Sequence, residues 1–234
     1  MVLDRIIHRN ILINILKDIF TDPHVGPFLG FKGGTAAYLF YGLNRFSVDL
    51  DFDLLDLTKE DEVFEGVKRI LEGYGSLKDS ERKRFNLFYL MSYEGKVDGA
   101  QNVKVEINRR DFGSRYEVMS YIGIPMKVMI KEDMIAHKLC AMYERIGKTN
   151  RDIFDVHFFL KNNWLVNKQI IESRTGMRYM DFLEKNIELL EKLTDQNILS
   201  GLGELLDEKQ KVWIKSSLRV DTIFLLRLAL DNER

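Results

Sequence analysis

The chain has 234 residues, 45% of them hydrophobic and 30% charged, and its 35 Lys and Arg balance 36 Asp and Glu to a net charge of −1. This excludes a disordered chain and a strongly basic coat for nucleic acid, so any nucleic-acid contact has to come from a local patch. A single cysteine, Cys140, excludes an intramolecular disulfide and a cysteine-built zinc cluster. One thiol, no signal-peptide core near the first residue and no apolar run approaching the ~18 residues of a membrane span predict a cytoplasmic protein with no membrane partner.

In chain order, Leu3, Ile6, Ile7, Leu16, Ile19 and Phe20 recur at helical spacing and predict a helix over 3–20. Asp22-Pro23 and Gly26-Pro27 punctuate a loop, and Phe28–Lys32 reads as a short apolar strand. Gly33-Gly34 then turns the chain, and Thr35 is expected to N-cap a helix running to Leu43. Over 46–55 the pattern alternates. Val48, Leu50, Phe52 and Leu54 fall on one face, and Ser47, Asp49, Asp51 and Asp53 on the other, as in a strand with one buried side.

A helix follows over 58–74, opened by Thr58, and then strands over 85–93, 102–108 and 115–129, with Pro125 breaking the last or placing it at an edge. From Lys131 onward helical patterns take over, at 131–145, 150–162, 177–194 and 208–230. The class is α+β: a mixed α/β core over 1–130 and a helical domain over 131–234.

The chemistry gathers at the Gly33-Gly34-Thr35 turn and the aspartate strand after it. Residues i and i+2 of a strand lie roughly 6.6 Å apart on one side. Asp49 and Asp51 therefore offer two carboxylates to one or two hard cations, and a divalent ion relieves their repulsion. Mg²⁺ suits such a pair, since it takes a carboxylate or two together with water and substrate phosphates. A strand–Gly–Gly–Thr–helix turn presents backbone N–H groups and a helix N-terminus, which together favour an anion. Side by side, the two features suggest a site for a metal–nucleoside triphosphate.

The stretch FKGGTAAYLFYGLNRFSVDLDFDLL resembles motif I of the nucleotidyltransferase β superfold, and more narrowly the AbiEii/AbiGii-type nucleotidyltransferase toxin family. A second stretch, IKEDMIAHKLCAMYERIGKTNRDIFDVHFFL, is similar to that family's helical motif, here Glu132, Lys138, Arg145, Arg151, Asp152 and Asp155. The resemblance implies a nucleotidyltransferase-like mixed sheet flanked by helices, with the helical C-terminal region completing the active site. It also implies a third metal carboxylate on a neighbouring strand. Glu106 in VKVEIN is the candidate, sharing a face with Lys104 and Asn108; Asp53 and Asp98 are rivals.

Under this reading Asp49, Asp51 and Glu106 hold two Mg²⁺ ions, and Gly33, Gly34, Thr35 and Lys138 grip the triphosphate. Lys138 lies in an apolar stretch and needs an anionic partner, with Asp152 or Asp155 orienting it or Arg151. Arg45 and Ser47 flank the metal strand, and Ser47 bonds a phosphate or supports the turn. His137 and Cys140 read as structural, and His8, His24 and His157 make no ligand spacing. Arg82-Lys83-Arg84 and Arg109, Arg110 and Arg115 form basic clusters, the second better placed to meet RNA phosphates.

The family resemblance implies NMP transfer from an NTP in a type IV toxin–antitoxin or abortive-infection role, with a tRNA 3′ end as acceptor and a cognate antitoxin as partner. Transfer to a protein side chain, a two-metal nuclease, and an inactive nucleotide- or partner-binding module stay open beside it.

Overall fold

The computed structural model describes residues 4–94, 100–194, 196 and 198–233; Leu3 and Asp98 lie outside them. Two compact units emerge, one of residues 1–111 and 115–129, the other of 112–114 and 130–234.

The first unit opens with α1 (Arg5–Thr21), whose N-terminus is capped by Asp4: its carboxylate accepts from the amides of Ile6 and Ile7. Then come β1 (Leu29–Lys32), α2 (Gly33–Phe40), β2 (Leu50–Leu54), α3 (Glu60–Glu72), β3 (Ser76–Arg82), β4 (Asn86–Glu94), β5 (Ala100–Asn108), β6 (Tyr116–Tyr121) and β7 (Ile124–Met129). The seven strands form one mixed sheet in the order β3-β4-β5-β2-β1-β7-β6. Pairs β2–β5 and β1–β7 are parallel and the others antiparallel.

Strand alternation gives this sheet two unlike faces. Phe31, Leu50, Phe52, Leu87, Tyr89, Val105 and Ile107 are fully buried on one of them. There Phe20 of α1 meets the rings of Phe31 and Phe52, and Phe64 of α3 meets Tyr89. The opposite face is polar. Register places Lys32 beside Asp51, Asp51 beside Glu106 and Asp53 beside Asn108.

Several predicted boundaries move, each for a physical reason. The aspartate strand begins at Leu50 rather than 46, because β1 is short and pairs only with 51–54. Helix α2 begins at Gly33 and ends at Phe40, so Thr35 lies inside it and Lys32 is the N-cap. Asp56, not Thr58, caps the 3₁₀ turn Leu57–Lys59 that leads into α3. The strand expected over 115–129 folds back as a hairpin, with Ile122 (φ 50°) and Gly123 (φ 79°) at the two-residue turn. Pro125 stands near the start of β7, an interior strand that pairs with β1 three residues further on, at Val128.

The second unit contains α4 (Lys131–Arg145), α5 (Arg151–Lys161), α6 (Lys168–Thr175), α7 (Tyr179–Lys192), α8 (Glu208–Trp213) and α9 (Arg219–Asp231). A π-helical turn, Ile214–Leu218, separates α8 from α9 where one continuous helix was expected. Among the described residues, no helix is long and apolar enough to cross a membrane.

Candidate active site

Gly33 sits at φ +80°, and a Cβ there would lie 2.3 Å from the Asp51 carboxylate; a Cβ on Gly34 would lie 2.8 Å from both Arg45 and Ser47. Both glycines are therefore demanded by what packs on them. Their missing side chains let a carboxylate, a guanidinium and a hydroxyl close on the first turn of α2. Arg45 and Ser47 are buried there, and Arg45 donates to the carbonyl of Phe46. Thr35, also buried, donates its hydroxyl proton to the Asp49 carbonyl and lies 3.0 Å from Ser47 Oγ. Of the two roles open to Ser47, support of the turn is the one this contact displays.

A second clamp comes from α1. His8 is fully buried, with Nε2 3.0 Å from the Val48 carbonyl and Nδ1 2.7 Å from Tyr93 OH. The carbonyl can only accept, so Nε2 carries the proton and Tyr93 donates to Nδ1. Thr35 and His8 thus hold residues 46–49 by side chains where no strand partner exists. No ligand spacing announces this role for His8, since its partner lies 40 positions away.

Burial lowers the pKa of His8, and it does the same for His157, which packs on Trp213. Above about pH 6.5 each imidazole is neutral folded or unfolded. Below it the unfolded ring takes up a proton that the buried ring resists, so stability falls with falling pH. Melting temperature is expected to drop from pH 7 to pH 5.5, and to drop less steeply in His8→Gln; equal slopes would show that His8 titrates alike in both states.

The carboxylates converge through strand register. Asp51 and Glu106 are direct partners across β2–β5, and Asp49 precedes Asp51 by two residues. Lys104, two residues before Glu106, lies 3.5 Å from Asp49 Oδ2 and 3.3 Å from Glu106 Oε2, while Asn86 donates to Glu106 Oε1. An ammonium thus stands between two of the three acids. Among the described residues, no group of three or more His, Cys, Asp and Glu side chains is closed up as a metal cage. The donor set nevertheless suits Mg²⁺ in chemistry: it is all oxygen and anionic, and two of its three carboxylates already share one cation, Lys104.

Asp53 is a different kind of residue. It accepts from Lys32 Nζ at 2.5 Å, from Asn108 Nδ2 at 2.7 Å and from Tyr116 OH. This rival carboxylate is spent on holding β1, β5 and β6 to β2.

In the helical unit, Lys138 is mostly buried and lies 3.1 Å from Asp152 and 2.7 Å from Asp155, two carboxylates with no exposure at all. Arg145 also reaches Asp152, at 2.8 Å; that contact lacks hydrogen-bond alignment and is an ion pair by proximity. Arg151 opens α5, the helix that carries both aspartates. His137 is structural as read: Arg174 donates to its Nδ1, so Nε2 holds the proton and donates to Ser114. Burial pushes the Cys140 thiol up to about 11, which leaves it inert.

The sequence model of the AbiEii nucleotidyl transferase toxins, of type IV toxin–antitoxin systems, matches residues 14–210. The chain belongs to the AbiEii family. It is therefore a nucleotidyltransferase of the toxin–antitoxin kind, and the match takes in Asp49, Asp51, Glu106, Lys138 and the Gly33-Gly34 turn but not His8. Solved structures share the fold. A proposed nucleotidyltransferase from Helicobacter pylori aligns over 100% of this chain and 99% of its own, with a TM-score of 0.63 and 24% identity. JHP933 from Helicobacter pylori aligns over 100% and 96%, at 0.59 and 23%. MenT4, a nucleotidyltransferase toxin from Mycobacterium tuberculosis, aligns over 96% and 85%, at 0.62 and 19%. No curated protein matches the chain.

Proposed function

We propose that this AbiEii-family chain transfers NMP from an NTP to the 3′ end of a tRNA, with Mg²⁺ held by Asp49, Asp51 and Glu106. The observation that carries the reading is the notch at Gly33, where the Asp51 carboxylate closes on the first turn of α2 with Glu106 beside it. Bound Mg²⁺, two ions in this reading, would neutralise phosphate charge and acidify the attacking hydroxyl.

The chain's own groups do the rest. The amides of Gly33, Gly34 and Thr35 lie at the donor end of α2, where they would meet the triphosphate. Arg45 and Ser47 keep that turn rigid, and Thr35 and His8 fix the height of Asp49 above it. Lys104 balances Asp49 and Glu106 until substrate arrives. In the helical unit, Lys138 is read as a phosphate ligand whose ammonium is oriented by Asp152 and Asp155, with Arg151 as a further cation on the same helix as those acids. Positioning and charge neutralisation then suffice for in-line attack on the α-phosphorus with departure of pyrophosphate. The cognate antitoxin is the protein partner in this reading.

Incubation with NTP, Mg²⁺ and total tRNA is expected to release pyrophosphate in proportion to nucleotide added. RNA cleavage without pyrophosphate would replace the proposal with a nuclease. Thermal stabilisation by Mg–NTP with no turnover would replace it with a binding module.

A further inference from the structure

Two basic clusters far apart in sequence meet on one exposed aromatic ring. Phe85 is 44% exposed in the bend between β3 and β4, and the guanidinium carbons of Arg84 and Arg110 both stand 4.8 Å from its ring centroid. Two other members of the clusters turn towards α3 and the β3–β4 bend. Arg82 pairs with Asp61 and Glu60, and Arg109 grips Glu60 through one nitrogen at 2.9 and 3.0 Å and donates to the Lys83 carbonyl. Arg84 and Arg110 are exposed and laid over the ring.

The patch connects to the carboxylates. Phe88, three residues after Phe85, is the register partner of Glu106, and Lys83 stands 3.6 Å over its ring. Arg110 bonds Asn108 at 3.2 Å, two residues beyond Glu106 on β5. From Glu106 the same side of β5 leads through Asn108 to Arg110, four residues and roughly 13 Å on, and Arg110 carries the surface to Phe85.

We propose that Phe85, Arg84 and Arg110 form the platform on which single-stranded RNA lies while its 3′ end enters the carboxylate site. This deepens the nucleotidyl-transfer reading and rests on it. Rings and guanidinium planes stack unpaired bases whatever their identity, and the same guanidiniums meet the phosphates between them. A paired helix would hide the base faces, so the occupant is a single-stranded end. The surface gives local meaning to a chain whose total charge is nearly zero: two of its cations are grouped past the end of the strand that carries Glu106.

The test uses the full-length protein and a fluorescent single-stranded RNA dodecamer without NTP, so that binding is read apart from transfer. Phe85→Ala is expected to weaken binding about tenfold or more, Phe85→Tyr to restore it, and Arg84→Gln with Arg110→Gln to flatten the salt dependence. In transfer assays Phe85→Ala should raise KM for RNA with the KM for NTP unmoved. Unchanged RNA binding in Phe85→Ala overturns the platform even where transfer is intact. A poly-glutamate peptide that binds more weakly to Phe85→Ala, while RNA does not, assigns the patch to an acidic protein and also overturns it. Phe85-dependent RNA binding in a protein that transfers nothing upholds the platform and removes the transfer reading instead.

Discussion

Asp51→Asn is expected to lose nucleotidyl transfer by more than about a hundredfold while melting at the wild-type temperature. The substitution keeps the side chain's shape, so the close fit over Gly33 survives. It removes the charge that would hold a hard cation in the notch. Phosphate charge neutralisation of this kind is worth several kcal/mol, and each ~1.4 kcal/mol is tenfold in rate. Asp53→Asn is the matched control on the same strand, two residues on. Its carboxylate binds Lys32, Asn108 and Tyr116, so the loss should appear in melting temperature. Pyrophosphate release and thermal unfolding of both variants decide the matter. Full activity in Asp51→Asn would remove it from the metal site.

The second large effect is one of stability. Asp152 and Asp155 are wholly buried and share Lys138, with Arg145 closing on Asp152. Lys138→Met leaves two buried carboxylates short of a cation. Removing one partner of a buried pair costs about 3–5 kcal/mol. At roughly 2–4 °C per kcal/mol for a chain of this size, melting should fall by about 10 °C. Adding Asp155→Leu to Lys138→Met should recover part of the loss, since the second change removes a buried carboxylate that has lost its ammonium. Wild-type melting in Lys138→Met would show that this network does not hold α4 to α5. Measuring without nucleotide keeps this structural cost apart from any change in KM for NTP.

The residues that sequence reading found, and those it missed, divide by the range of the information they need. The alternation over 46–55 assigned every side chain of the aspartate strand to its proper face, because period two is a local property. It overran the strand's start, because residues 46–49 take their order from Thr35 and His8. The Gly33-Gly34 pair was visible, yet the reason for it lies in Asp51, Arg45 and Ser47 downstream. Lys104 was placed on the face of Glu106, but its bond to Asp49 depends on β2 running parallel beside β5, which no local pattern dictates.

Strand β3 left no signal because it is an edge strand with mostly exposed, charged residues and no buried face to mark a period. The β6–β7 turn was hidden because Ile122 adopts a positive φ that a β-branched residue rarely takes. Helix α6 escaped for shortness, and its αL end at Gly176 is clear only in the structure.

Incubating the protein with each α-labelled NTP, Mg²⁺ and total RNA tests the central claim most directly. The account predicts label at the 3′ end of tRNA, released pyrophosphate in equal amount, and neither product with Asp51→Asn. Label on the protein itself, or label on tRNA that persists in Asp51→Asn, would contradict it.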